Sequence, residues 1–276
     1  MRMGGAIERN VWIWGLPLKP FTTAQTLDRI AQLIARRKPS FFITANLHYA
    51  MVSERDSRLK LVNALADFVV ADGMPLVWAS RLIGEPLPER VAGSDLIWRM
   101  CERAAVHGWR VFLFGGAPGI AEEAARNLVE KYANLVVAGT ACPPFRNLTR
   151  AEEDALIAVI RDSRADVLLV ALGQPKGELW LSRQYEKLSI PVSVQIGASL
   201  DFVAGKVRRA PRWMQAVGLE WAYRLFQEPR RLLGRYLQNL LFLLRMLLTQ
   251  TRRRYPRRKS QPNNSAGVCI PSTREI

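Results

Sequence analysis

The sequence predicts an α/β fold in which a parallel sheet is covered by helices on both faces and followed by a helical, basic C-terminal appendage. Three observations predict it. Short β-branched runs alternate with helical patterns through most of the 276 residues, and each run closes on a Gly, Asn or Asp cluster. The runs are apolar throughout instead of alternating with polar residues, as expected of strands buried on both faces. From about residue 206 the pattern changes to helices that carry arginine at their polar positions.

Strands are expected at 11–15, 40–45, 67–71, 111–115, 135–139, 166–172 and 192–197, and helices at 22–37, 49–65, 94–107, 119–132, 151–163 and 177–188. Sheets of this kind hold ligands beyond the carboxyl ends of their strands, so the polar residues after each strand are the candidates for chemistry. The expected division is an α/β catalytic domain at 1–205, an arginine-rich helical appendage at 206–250 and a basic, disordered tail at 251–276.

Charge supports that division. Of 40 Lys/Arg and 24 Asp/Glu, residues 202–276 hold 16 and 3, so +13 of the net +16 lies there. Residues 1–201 carry the remaining 24 and 21. A nucleic-acid reader spreads its basic surface over the reading domain, whereas here the charge is attached to a balanced body. No nucleic acid is expected; an anionic ligand or lipid surface is. The three cysteines are odd in number and lack a C-x-x-C, which points to a reduced compartment. No run reaches the ~18–20 apolar residues of a membrane span, and the first residues do not read as a signal peptide. The expected location is cytoplasmic.

Several strand ends carry polar residues. "TANLHYA" places Thr44, Asn46 and His48 at one; Thr44 and Asn46 are ligand contacts or caps of the next helix. "VVADGM" places Asp72 at the neighbouring edge, as a general base or as part of a tight turn. "VFLFGGAPG" offers Gly115 and Gly116 either to a phosphate or to close packing. "GQPKGELW" supplies Gln174, Lys176 and Glu178 as ligand contacts or as a helix cap and dipole partner. The two histidines stand 59 positions apart and no D-x-D occurs, so no metal or other cofactor is expected. A departing diphosphate then needs side-chain cations, and residues 208–236 provide seven arginines interleaved with Trp213, Trp221, Tyr223 and Tyr236. Further along, Leu237, Leu240, Leu241, Leu244, Leu247 and Leu248 share one helix face, either a core stripe or a segment resting on anionic lipid.

The blocks "TANLHYA", "ADGMPLVWASRLIG", "ERVAGSDL", "VALGQPKGELW" and "IGASLDFVAGKVRRAPRWMQAVGLEWAYRLFQEPRRLLGRY" resemble the WecG/TagA/CpsF family of bacterial glycosyltransferases, from about residue 10 to about 240. The resemblance implies a Rossmann-like catalytic domain. It also implies inverting transfer of an N-acetylmannosamine-type sugar from a UDP donor to a polyprenyl-diphosphate-linked sugar, in cell-surface polysaccharide synthesis on the inner face of the membrane. It assigns Asp72 as general base with Thr44 and Asn46 beside it, Arg90 and Asp95 as pocket residues, and Asp201, Arg209, Arg224, Arg231 and Arg235 as substrate contacts. Where the family usually reads P-K-Q-E this chain reads "PKGE", so Gly177 lacks an amide expected to meet the substrate. The alternative within the class is a UDP-glucose-dependent glucosyltransferase of exopolysaccharide assembly. Outside it stand a basic nucleic-acid-binding protein and a membrane scaffold. A homo-oligomer completes the list of expected partners.

Overall fold

The computed structural model describes residues 9–144, 146, 148–216 and 218–252. Eight strands form one sheet in the order β1-β2-β4-β3-β8-β7-β5-β6. These are β1 (Val11–Ile13), β2 (Leu16–Leu18), β3 (Phe41–Ala45), β4 (Val69–Ala71), β5 (Arg110–Gly115), β6 (Val136–Ala141), β7 (Val167–Ala171) and β8 (Val192–Gln195). All neighbours pair in parallel except β1 with β2. The expected single strand at 11–15 is therefore a hairpin that adds an antiparallel edge. Trp14 and Gly15, with φ of 48° and 81°, form its two-residue turn, the left-handed pair that matches strand twist.

Both faces are covered. One apolar cluster, including Phe41, Ile43, Phe112, Phe114 and Leu168, is packed beneath α2 (Leu47–Arg55), α3 (Ser57–Leu65), α4 (Met74–Leu82), α7 (Arg150–Asp162) and α8 (Lys176–Leu188). The other, including Phe42, Val70, Leu113, Leu169 and Val194, lies beneath α1 (Thr23–Arg36), α5 (Gly93–His107), α6 (Ile120–Lys131) and α9 (Ser199–Val203). β3 and β8 are buried at every position, which is why they read as continuous apolar runs.

Local chemistry sets the helix limits. Thr22 and Gln25 form a reciprocal cap at the start of α1. The helix expected at 49–65 is two helices, because Asp56 adopts an extended backbone and its carboxylate accepts from Arg58 N–H at 2.9 Å, starting α3. α4 is additional to the expected set: Pro75 sits in its first turn, where a missing N–H costs nothing.

Consecutive strands run outward from β3 to β4 and inward from β7 to β8, so β3 and β8 are neighbours reached from opposite directions. The crevice beyond their carboxyl ends is a topological switch point. After α10 (Arg212–Ala216), α11 (Glu220–Gln227) and α12 (Pro229–Arg252) close over it. α12 docks on α2 through Asn239, whose Oδ1 lies 3.3 Å from His48 Nδ1, and on the β1–β2 turn through Phe242, which is buried edge-on against Trp14 at 5.6 Å. The leucine stripe is not that docking face: Leu237, Leu240, Leu241, Leu244 and Leu248 are all exposed. The expected tail beyond residue 252 lies outside the described residues.

Candidate active site

A cleft of about 1780 Å³ opens at the switch point, walled by the ends of β3, β4, β7 and β8 on one side and by α11 and α12 on the other. Thr44, Asn46, Asp72, Arg90, Gly116, Gln174 and Asp201 line the side of the sheet and its helices, and Arg224 and Arg235 line the side of the appendage. Sequence positions more than 100 residues apart thus face one space.

Asp72 follows β4, and its backbone N–H donates to Ala45 O at 2.7 Å, which sets it beside the end of β3. One oxygen accepts from Gly93 N–H at 3.1 Å. The carboxyl lines the cleft yet is densely enclosed by protein. Burial pushes it from an ordinary 3.8 up to about 7; Arg90 and the Gly93 N–H oppose that rise, while Glu220 and Asp95 add to it. A carboxylate ionising near neutrality is suited to accept a proton. Gly73, with an extended backbone, stands at the N-cap of α4.

A ring of alternating charge supports this group. Arg90 Nη1 lies 3.1 Å from Glu220 Oε2 and its Nη2 3.5 Å from Asp95 Oδ2. Arg209 bonds Asp95 at 2.5 Å and lies 3.6 Å from Glu220. Burial works to raise the Asp95 pKa, but Arg209 and then Arg90 hold it below the ordinary carboxylate range. Asp95 and Arg209 do not line the cleft; they brace Arg90 from behind. Glu220 was not among the sequence candidates, although it stands inside the "GLEWAYR" block.

Asn46 accepts from Tyr49 N–H at 3.1 Å and so caps α2, while also facing the cleft. Thr44 is buried, with Oγ1 donating to Gln195 O at 3.2 Å, and Gln174 Nε2 donates to Thr44 O at 3.3 Å. His48 is pushed down to about 4 by burial and by Arg235, against the pull of Asn239, so it is neutral at pH 7 and packs as a structural residue.

The glycine pair serves packing. A Cβ at Gly115, where φ is 104°, would meet Ala171 O at 2.7 Å, and Gly116 N–H already donates to that same oxygen at 3.0 Å. The Gly116 N–H is thus taken up within the sheet, although Gly116 reaches the cleft wall. Glu178 lies under the floor, not in the wall: it is 1% exposed, neither oxygen finds a hydrogen bond of good geometry, and burial pushes it up to about 7 against its own backbone N–H, Gln174 and Arg235. The space a side chain at Gly177 would enter is filled by the Gln195 carboxamide, whose atoms stand 2.4–2.7 Å from a built Cβ. Gln195, missed in the sequence, accepts from Leu172 N–H at 3.3 Å and so holds the loop that carries Gln174.

On the appendage, Arg224 stacks its guanidinium 5.4 Å from the Phe202 ring, and its buried Nε has no hydrogen-bond partner. The side chain of Arg231, on α12, is outside the described residues. Among the described residues, no group of three or more His, Cys, Asp and Glu is arranged to hold a metal ion, and no helix is long and apolar enough to cross a membrane.

An α/β sheet with a buried carboxylate and an arginine-bearing wall at its switch point is the kind of cleft in which an enzyme can carry out group transfer. The family model described as "Glycosyl transferase WecG/TagA/CpsF family" matches residues 11–257, and the chain belongs to that family. It is 32% identical over 196 residues to the N-acetylglucosaminyldiphosphoundecaprenol N-acetyl-beta-D-mannosaminyltransferase of Bacillus spizizenii, covering 71% of this chain and 74% of the relative. Against the protein of the same name from Staphylococcus aureus it is 28% identical over 228 residues, covering 81% and 87%.

Proposed function

We propose that the protein transfers an N-acetylmannosamine-type sugar from a UDP donor to a polyprenyl-diphosphate-linked sugar, with inversion. The observation that carries this reading is Asp72, ionising near pH 7 in the same cleft as Arg224 and Arg235. Asp72 takes the proton of an acceptor hydroxyl as that oxygen bonds to the anomeric carbon. The carbon–oxygen bond to UDP breaks on the opposite side, and UDP leaves with the electron pair. Arg224 and Arg235 neutralise the charge that develops on the diphosphate, a role arginine fills through paired N–H donors without needing a metal ion. The names of the relatives support the lipid-linked acceptor and the transferred sugar.

The exposed leucines of α12 support seating on the anionic inner face of the cell membrane, where such an acceptor resides. The residues that follow, with arginine at 252–254 and 257–258 and lysine at 259, add electrostatic attraction to that surface. Residues 1–205 act as the catalytic domain and 206–250 as an appendage that completes the site.

The test is a panel of UDP-sugars offered to purified protein with a lipid-diphosphate N-acetylglucosamine acceptor, with and without EDTA. Transfer from UDP-N-acetylmannosamine that survives EDTA is expected. Preference for UDP-glucose would move the protein to exopolysaccharide glucosylation, and no transfer from any donor would refute the reading.

A further inference from the structure

The reaction needs two ligands in one cleft, and the arginines of α11 and α12 account for one of them. The cleft exceeds the ~300–1,000 Å³ of an ordinary small-ligand pocket, so room for a second substrate remains. On its body side, Lys176, Leu179, Trp180 and Arg183 stand at i, i+3, i+4 and i+7 of α8, share one helix face and all line the cleft. Lys176 and Arg183 are exposed, and among the described residues no carboxylate lies within ion-pair distance of either. Seven residues of helix set them about 10 Å apart along its axis. Glu153 of α7 also lines the cleft and accepts from Trp180 Nε1 at 2.9 Å through one of its oxygens.

Across the cleft, α12 contributes Leu237, Leu240 and Leu243. Leu237 and Leu240 are 56% and 51% exposed, and the apolar face continues out of the cleft through Leu241, Leu244 and Leu248. Two cations with no ion-pair partner among the described residues thus share the cleft with an apolar track that continues beyond it. Lys176 begins the helix after β7 and Asp72 follows β4, and these two strands stand three steps apart, or about 14 Å at ~4.8 Å per step. That spacing leaves room for a sugar between Asp72 and a diphosphate held at α8.

We propose that α8 and α12 form the acceptor subsite, in which Lys176 and Arg183 bind the diphosphate of the polyprenyl-diphosphate sugar and Leu179, Leu237 and Leu240 take its first isoprene units. The assignment rests on the acceptor class proposed above and names the residues that recognise it. It separates the two diphosphates of the reaction: the acceptor's on the catalytic domain, the donor's on the appendage.

The test is calorimetric titration of the full-length protein with N-acetylglucosaminyl-diphosphoryl-farnesol, a short-chain acceptor analogue, and separately with UDP. The double variant Lys176→Ala/Arg183→Ala, which alters two exposed side chains, is expected to bind the analogue at least tenfold more weakly while its UDP affinity stays within twofold. Arg224→Ala is expected to do the reverse. Leu240→Asn should weaken the farnesyl compound severalfold and leave the same sugar diphosphate carrying a methyl group unaffected. Native affinity for the analogue in the double variant, or no binding by the native protein, would overturn the subsite. If the native protein binds the analogue and the double variant does not, while no UDP-sugar supports transfer, the donor reading fails and the subsite stands.

Discussion

Replacing Asp72 by Asn should separate activity from stability in opposite directions. A rise from 3.8 to about 7 means the folded site disfavours the carboxylate by about 4 kcal/mol relative to the unfolded chain, at about 1.4 kcal/mol per unit. The sign follows from proton binding. Below pH 3.8 both states hold the proton and the penalty is absent; between 3.8 and 7 only the folded state holds it, so stability falls as pH rises; above 7 the full penalty applies. Asn removes the ionisation while keeping the oxygen that accepts from Gly93 N–H. The variant should therefore melt above the parent at pH 8, with the gap closing towards pH 4. Water in the cleft screens part of the penalty, so the expected gap is several degrees instead of the full conversion of 4 kcal/mol. Turnover should fall ~10²- to 10⁴-fold, the usual cost of losing a general base, and the parent's rate should climb with pH through about 7. Calorimetric melting at pH 4, 6 and 8, together with a pH–rate profile, measures all of this. A variant that is less stable than the parent at pH 8, or fully active, would refute the assignment.

Four further outcomes are expected. Glu178→Gln should raise the melting temperature above pH 7 for the same reason and, because the residue lies under the floor, retain most turnover. Gly177→Gln should destabilise the protein, since its side chain meets the Gln195 amide, and Gln195→Gly in the same chain should restore the melting temperature; failure of that rescue would mean the two do not share one space. Arg209→Ala removes one of the two arginines from Asp95 and Glu220, each of which keeps Arg90, so urea denaturation should show a loss of ~1.5–3 kcal/mol. Leu241→Glu/Leu244→Glu should abolish flotation with phosphatidylglycerol vesicles without changing the melting temperature, because both side chains are exposed.

Much of the fold could be read along the chain because its causes are local. Apolar runs such as Phe41–Ala45 mark strands buried on both sides, and the strand ends at Ala45 and Ala71 placed Thr44, Asn46 and Asp72 at one rim. Where a local cause was ambiguous, the reading went astray. Trp14-Gly15 is a turn inside an apolar run, and Asp56 interrupts an otherwise helical pattern by capping the next helix. Asp-Gly-Met-Pro reads as a loop although its proline opens α4.

The sequence by itself determined the alternation of strands and helices, the basic appendage and the polar residues at each strand end, since periodicity, composition and turn chemistry act over a few residues. Only the tertiary structure decided which of those residues meet. Arg90 and Glu220 pair across 130 positions and Arg209 and Asp95 across 114, and that ring, not any motif, braces the arginine beside Asp72. The same packing sent Glu178 under the floor, gave the space beside Gly177 to Gln195 and turned the leucines of α12 outward. Burial and electrostatic pairing depend on what the folded chain brings within a few ångströms, and linear spacing carries no record of that.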